Sequence, residues 1–349
     1  MATRPLVSLV IPLYNEEECF EALEQALDGF IEAQQESWRF EVVLVDDGST
    51  DATWTMVRSY AARRSYVRGV SFSRNFGHQN ALFEGYRQAR GEAIVCLDGD
   101  LQDPLEVVTR MLRAWEGGAE VVFAIRTRRH GETWFKRWTA YAFYRLLAFM
   151  ADTDAPLDSG DFRLLDRRAL NVLLRMPERH RYIRGMVGWI GFKRATVSYE
   201  RQRRVAGKTK FSLRKMLAFG VDGLLSFSTF PLRLTFLFSV LGSLPFLLYA
   251  GRAFVLQALG VREMAPGWMS LLLAIVTFGS LILMAIGLVG EYVGRIYDTV
   301  KQRPDVIVRE SCGLDAVRSR QVVGAATMHD MDADLVTEPQ SEGPAVYFE

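Results

Sequence analysis

Residues 264–290 run for 27 positions without one charged side chain, and nothing else in this 349-residue chain restricts its fold so strongly. A second uncharged run of 18 residues, 234–251, lies just before it. At 1.5 Å per residue these make helices of about 40 Å and about 27 Å, against a hydrocarbon core of about 30 Å. Residues 253–261 continue the shorter run almost free of charge, and the stem of Arg252 is long enough to carry its head to the interface. Two buried core helices are the alternative; the lengths favour two membrane helices joined by a short link around Arg262 to Gly267. Pro245 and the glycines inside the runs are tolerated in such spans. Arg201, Arg203, Arg204, Lys208, Lys210, Arg214, Lys215 and Arg233 precede the first run, and Arg295, Lys301, Arg303 and Arg309 follow the second. The hairpin tip offers only Arg262 and Arg252. That asymmetry puts both ends on the cytosolic side of an inner, plasma membrane.

The remainder divides by charge. The whole chain is nearly neutral, net +1, which gives no reason to expect a nucleic-acid partner. Its parts are unlike: residues 1–124 sum to −9, 126–233 to +14 and 234–349 to −4. With 49% hydrophobic and 12% aromatic residues the composition is not that of a disordered chain. Cys19, Cys96 and Cys312 are far apart and in no metal-like spacing, so neither a disulfide framework nor a zinc site is expected, and a reducing compartment fits. The N-terminus enters an apolar strand within a few residues, with no signal-like region, which keeps the first domain cytosolic. From about residue 311 the chain is acidic with little apolar periodicity and reads as a disordered tail.

Between Leu6 and Ile125 apolar runs of strand length alternate with longer amphipathic segments, the pattern of an α/β domain with a mainly parallel sheet and helices on both faces. Strands are expected at 6–11, 40–45, 67–72, 93–97 and 119–125. Helices are expected at 17–35, 52–63, 78–90 and 104–116, the second capped within Ser49 to Asp51 and the fourth opening on Pro104. Two aromatic stretches, 134–150 and 211–230, have amphipathic spacing with flanking Arg and Lys, and read as helices at the membrane surface or packed on the catalytic domain. The domain plan is therefore 1–210 a cytosolic α/β domain, 211–231 interfacial, 232–294 membrane and 295–349 a C-terminal segment and tail.

In a parallel sheet the ligand crevice lies beyond the carboxyl ends of the strands, and the acidic clusters fall there. The second strand runs into Val45-Asp46-Asp47-Gly48-Ser49 and the fourth into Leu97-Asp98-Gly99-Asp100-Leu101-Gln102-Asp103-Pro104. Asp98 and Asp100 can present two carboxylates to one Mg²⁺ or Mn²⁺, with Gln102 as a neutral oxygen and open positions left for substrate phosphates. No GxGxxG follows the first strand and no GxxxxGK[ST] occurs, which excludes dinucleotide and P-loop sites. His78 reads as a helix-start histidine with an ordinary hydrogen bond.

Ser8-Leu-Val-Ile-Pro-Leu-Tyr-Asn-Glu-Glu17, Val45-Asp-Asp-Gly-Ser-Thr-Asp51, Ser73-Arg-Asn-Phe-Gly77 and Leu97 to Pro104 resemble family 2 glycosyltransferases of the GT-A fold. Asp158-Ser-Gly-Asp-Phe-Arg-Leu164 and Glu200-Arg-x-x-Arg204-x-x-Gly207-x-Thr-Lys-Phe211, followed by two spans, resemble more narrowly the polyprenyl-phosphate glycosyltransferases of the dolichol-phosphate mannose synthase and bactoprenol glucosyltransferase group. The likeness covers about residues 5–300. It implies that Pro12, Tyr14, Glu16, Asp46 or Asp47, and Gly99 hold the nucleotide, and that Asp98, Asp100 and Gln102 hold metal and diphosphate. Arg126, Arg129, Arg204, Lys208 and Lys210 become candidates for donor and acceptor phosphates, with a solvated basic face or lipid headgroups as the competing account of the last three. Asp158 and Asp161, in a tight turn at Gly160, are the candidate catalytic carboxylates, one of them orienting the acceptor or acting as base.

The partners so implied are a nucleotide sugar, UDP-glucose as the specific choice, a membrane polyprenyl phosphate such as undecaprenyl phosphate, and the bilayer; a homo-oligomer is compatible with all of this. GDP-mannose, UDP-N-acetylhexosamine or UDP-aminoarabinose are alternative donors. A processive polysaccharide synthase fits less well, because no Gln-x-x-Arg-Trp motif occurs and two spans are too few for a channel. An inactive nucleotide-sensing scaffold is the reading from another class.

Overall fold

A computed structural model describes residues 4–126, 159–179, 181–200 and 267–313, together with individual residues between 235 and 259. The expected surface helices, most of the first apolar run, and the tail beyond residue 313 lie outside the described residues.

One eight-stranded sheet organises the chain, in the order β7-β5-β6-β4-β1-β2-β3-β8. Its centre is β1 (Leu6–Leu13), β2 (Arg39–Asp46), β3 (Val67–Phe72) and β4 (Ala93–Cys96), all parallel, as the continuous Val, Ile and Leu runs require of strands covered on both faces. β5 (Val121–Arg126) follows, then β6 (Ser159–Asp166), which inserts antiparallel between β4 and β5. β7 (Arg194–Tyr199) pairs in parallel with β5, and β8 (Val308–Cys312) pairs antiparallel with β3. The five expected strands are present within two residues; β6, β7 and β8 were not anticipated. β8 also corrects the start of the tail, since Ser311 and Cys312 belong to the sheet.

Helices α1 (Glu17–Gln34), α2 (Thr53–Arg63) and α4 (Leu105–Glu116) cover one face, where Phe20, Leu23, Trp54, Val57, Val108 and Met111 share a core with Leu9, Leu44 and Val95. Helices α3 (His78–Gln88), α5 (Arg167–Leu174) and α6 (Ile183–Trp189) cover the other, with Leu82, Tyr86, Leu170 and Met186 packed on Val10, Val43 and Ile94. The alternation of connections around β1 makes the gap between the carboxyl ends of β1 and β4 the topological switch point, where such sheets open a crevice. Two helix starts differ from expectation. Asp51 accepts from Thr53 N at 3.0 Å but Ala52 is the boundary residue, and Pro104 lies just outside α4.

Pro12 stands in a central strand, where proline is normally excluded. β4 pairs with β1 only from Val7 to Val10, so β1 overhangs it by three residues. Val10 O accepts from Leu97 N, on the β4 side, and Leu13 O accepts from Asp47 N, on the β2 side. Pro12 therefore faces β4's side beyond its last pair, and the missing N–H breaks no ladder bond.

Helix α7 (Gly267–Val300) is 34 residues long, about 51 Å, and none of its apolar stretch Ala274–Val300 is buried within the protein. Among the described residues it is the one helix long and apolar enough to cross a membrane. It continues beyond the uncharged run into Glu291 and Arg295, which pair at 3.1 Å one turn apart. After a turn at Lys301 to Pro304 the chain rejoins the sheet as β8.

Candidate active site

Five segments meet at the carboxyl edge of the sheet: the loop after β1, the loop after β2, residues 73–78 after β3, residues 97–103 after β4, and the start of β6. The first two are braced together. Asn15, in the left-handed region at φ 52, donates its N–H to Ser49 Oγ at 2.9 Å and accepts from Thr50 N at 2.9 Å through Oδ1. Glu16 N donates to Thr53 Oγ1, and Glu17 Oε2 accepts from Ala52 N. Tyr14 and Glu16 are thereby held at the rim, Tyr14 with its side chain exposed. Gly48 takes φ 67, and any side chain there would run into the backbone of Arg74.

Asp46 and Asp47 separate in role. Asp46 is 0% exposed, with Oδ1 accepting from Ser49 N at 3.0 Å and Oδ2 from Ser71 Oγ at 2.7 Å. Enclosed in this way it shapes the loop. Asp47 accepts from Phe76 N at 2.7 Å and Gly77 N at 3.0 Å, tying the β2 loop to the entry of α3. Burial pushes its pKa to about 6, against the pull of those two amides. Because the folded value lies above the ordinary 3.9 or so, the stability this group contributes is present below about pH 4 and is lost as pH rises through about 6. Asp47→Asn keeps an acceptor for both amides without the charge, so its melting temperature at pH 7.5 should exceed that of the wild type, the gain vanishing below pH 4. A thermal scan across pH checks this, and a lower melting temperature at pH 7.5 would contradict it.

Gly99 and Pro12 are also placed by packing. A Cβ on Gly99 would collide with Leu13 Cδ2, and Pro12 is buried in the overhang. Asp98 keeps 30% of its side chain exposed, whereas Asp100 is 5% exposed and accepts from Gln102 N at 3.1 Å. Leu101 between them sits at φ 56, a conformation that costs a branched residue free energy and tends to mark functional loops. Among the described residues no group of three or more His, Cys, Asp or Glu side chains is placed to hold a metal ion. Two carboxylates beside a crevice fit instead a hard cation that completes its shell with phosphate oxygens, and Mg²⁺ is usually bound so.

The strongest electrostatic feature surrounds Asp161. Its carboxylate is 9% exposed and accepts from Arg163 at 2.7 Å and from Arg184 at 3.2 Å through two nitrogens; His78 Nε2 lies 3.4 Å away and Gln79 Nε2 3.4 Å. Burial alone would raise its pKa, but Arg184, His78 and Arg163 together hold it well below the usual carboxylate range. A carboxylate of such low proton affinity is suited to orienting these cations and is a poor base near neutral pH. Partial desolvation of the His78 ring, 42% exposed, pulls its pKa down, yet Asp161 and Asp98, the latter 4.0 Å from Nε2, bring the net direction upward. The helix-start histidine thus makes the bond expected of it, and in doing so bridges the two acidic clusters. Gly160 lies in strand β6 and not in a turn. Asp158 falls outside the described residues, as do Arg129, Arg204, Lys208 and Lys210.

Arg126, at the end of β5, donates Nε to Tyr199 OH at 3.1 Å, and Tyr199 donates to Asp103 Oδ1 at 2.7 Å. Burial lowers the Arg126 pKa, but Tyr199, Asp103 and Asp98 outweigh it and the net direction is upward, so the guanidinium stays charged beside the crevice. Tyr199 and Arg184 carry no motif that marks them in the sequence, and Arg163 is marked only as part of the Asp158 to Leu164 segment, with no role of its own.

The fold, the acidic edge and the sequence all point to one family: residues 8–174 match the Glycosyl transferase family 2 model, and the chain belongs to that family. Among its relatives, the uncharacterized glycosyltransferase YkcC of Bacillus subtilis is 42% identical over 315 residues, 89% of this chain and 95% of that protein. The prophage bactoprenol glucosyl transferase homolog of Escherichia coli is 38% identical over 87% of this chain and 98% of its own length, and the bactoprenol glucosyl transferase of Shigella phage SfII is 37% identical with the same coverage. Glucosyl-3-phosphoglycerate synthase from Mycobacterium tuberculosis, solved with Mn²⁺, UDP and glucosyl-3-phosphoglycerate, aligns at 19% identity and a TM-score of 0.45 over 64% of this chain and 80% of that one.

Proposed function

We propose that this chain transfers one sugar from a nucleotide sugar to a membrane polyprenyl phosphate at the cytosolic membrane face, with UDP-glucose and undecaprenyl phosphate as the specific pair. The observation that carries the reading is the meeting of the Asp98 and Asp100 pair with the Asp161 cluster at one sheet edge, in a chain whose long apolar helix runs back into that same sheet. Relatives named as bactoprenol glucosyl transferases over nearly their whole length support it.

In this reading Pro12, Tyr14, Glu16, Asp46 or Asp47, and Gly99 hold the nucleotide, and Asp98, Asp100 and Gln102 hold Mg²⁺ or Mn²⁺. The bound cation supplies Lewis-acid stabilisation of the departing nucleoside diphosphate. Arg126 and Arg129 face the donor diphosphate, and Arg204, Lys208 and Lys210 the acceptor phosphate. A phosphate monoester has a second pKa near 6 and is mostly dianionic at neutral pH, so its oxygen needs little help to attack the anomeric carbon. The bond to the diphosphate breaks as the new one forms, and the anomeric centre inverts. What the protein contributes is alignment: Asp161, with Asp158, fixes the cations that hold the acceptor in line. In the same reading the uncharged run 234–251 is the first of two membrane spans, with both termini cytosolic.

Membranes containing the protein should convert radiolabelled UDP-glucose and undecaprenyl phosphate to a butanol-soluble product when Mg²⁺ or Mn²⁺ is added. Mass spectrometry of that product after incubation with GDP-mannose, UDP-N-acetylhexosamine and UDP-aminoarabinose alongside UDP-glucose identifies the sugar. Polymer in the aqueous phase, or UDP binding without turnover of any donor, overturns the reading in favour of a processive synthase or a scaffold respectively.

A further inference from the structure

The segment that leaves the long apolar helix does not simply hang from it. Five residues beyond Val300, Asp305 turns a largely buried carboxylate onto Arg181, 124 residues away in sequence, at 2.6 Å, and onto Arg87 at 3.4 Å. The Arg181 side chain is 4% exposed, its guanidinium lies 4.0 Å over the Phe83 ring, and its other terminal nitrogen donates to Asn80 Oδ1 at 3.3 Å. Asn80 and Phe83 are on α3, and Arg181 immediately precedes α6. The contact therefore clamps the first turn of α3 to the start of α6.

Those two elements deliver the cluster around Asp161. From α3 come His78 and Gln79; from α6 comes Arg184, three residues past Arg181. A further bond between them, Ile183 N to Gln79 Oε1 at 3.3 Å, closes the same joint. The strap reaches the donor half as well. Ile307 O accepts from Ser73 N at 2.9 Å, and Arg309 donates to Ser71 Oγ at 3.2 Å, the hydroxyl that itself bonds Asp46.

We propose that Asp305 is a positioning residue for the transfer reaction: by holding Arg181 it sets the α3–α6 joint that brings Arg184, Gln79 and His78 to Asp161, and it ties that joint to the exit of the apolar helix. Asp305 touches none of the reacting groups. Loss of its carboxylate leaves the Asn15, Glu16 and Glu17 braces of the rim in place, because they are independent of it, and acts first on the α3–α6 joint beside Asp161. The proposal rests on the function given above, and the wild-type chain in the same assay tests that separately.

The experiment compares full-length wild type, Asp305→Asn and Asp305→Glu in membranes, measuring UDP affinity and the rate of transfer from UDP-glucose to undecaprenyl phosphate at saturating donor. Asp305→Asn should lower kcat about tenfold or more, the loss typical of a misplaced group, with UDP affinity unchanged within about twofold; Asp305→Glu should recover much of the rate. A purely structural brace would instead lower UDP binding and transfer together, in proportion to the folded fraction. Equal falls in both, or a wild-type rate in Asp305→Asn, overturns the proposal. If the wild type itself makes no lipid-linked sugar while binding UDP, it is the functional reading that fails.

Discussion

Asp100→Ala should reduce transfer by about a thousandfold or more in kcat/KM. A cation that stabilises a leaving group is worth several kcal/mol, and each 1.36 kcal/mol is tenfold in rate. Asp100 and Asp98 are the two carboxylates at the end of β4, with no third acidic, His or Cys side chain placed to complete a set among the described residues. In the proposed site, losing one of the two carboxylates removes half of the negative charge offered to the ion, and Gln102 supplies none. Asp100 is also buried and bonds Gln102 N, so the backbone of the loop loosens with it. The measurement is initial rate against Mg²⁺ or Mn²⁺ concentration. Asp100→Asn separates the two contributions: it keeps an acceptor for Gln102 N but not the charge, and should be nearly as inactive as the alanine variant, with a folded-state melting temperature close to wild type. A variant that retains activity would remove the metal role from this pair.

The second large effect is on stability. Asp161→Asn leaves Arg163, fully buried, and Arg184 without the carboxylate that compensates them. Removing one partner of a buried ion pair typically costs about 3–5 kcal/mol, because the other charge stays behind in a poor solvent for it. For a domain of this size that corresponds to a drop of roughly 10 °C in melting temperature. The pH dependence has a definite sign. The folded pKa of Asp161 is depressed, so its contribution is present above the unfolded value of about 4 and is lost as pH falls through the folded value. The gap between wild type and Asp161→Asn should be full at pH 7 and close on acidification below pH 4. Replacing Arg163 by methionine in the Asp161→Asn background should recover part of the loss, since a buried pair can be exchanged for apolar groups at little cost. An additive double variant, with both losses summed, would mean that the two residues do not act on each other.

Much of the sheet is legible because its strands are buried on both faces and announce themselves as Val, Ile and Leu runs, from Leu9 to Ile11 and from Val42 to Val45. The acidic clusters were legible for the same reason: they begin where those runs stop. The three missed strands carry no such signal. β8 reads Val-Arg-Glu-Ser-Cys, an edge strand whose side chains alternate no more clearly than a loop, and its partner is more than 230 residues away. β6 reads Ser-Gly-Asp-Phe-Arg and hides its strand character behind the charges that make it useful. His78 was assigned an ordinary bond because nothing local says what it faces. Asp161 reaches it only because β6 inserts between β4 and β5, a choice made by packing and not by periodicity. Asp46, Pro12 and Gly99 have one thing in common: each is fixed by packing or hydrogen bonds within its own loop. A short motif marks where a loop must be, and cannot separate the residues that build the loop from those that use it.

The pairing of β8 with β3 also imposes an order on biosynthesis. Gly69 is opposite Cys312, so the edge of the sheet stays open until the chain has been translated through the whole of α7. A nascent chain released before that point exposes the unpaired edge of β3, the kind of template on which strands from other chains associate. Trp54, whose indole nitrogen donates to Glu310 Oε2 at 2.8 Å, likewise lacks its partner until then. Completion of the catalytic domain thus follows synthesis of the apolar helix, and a chain that stalls in that helix never acquires a finished sheet.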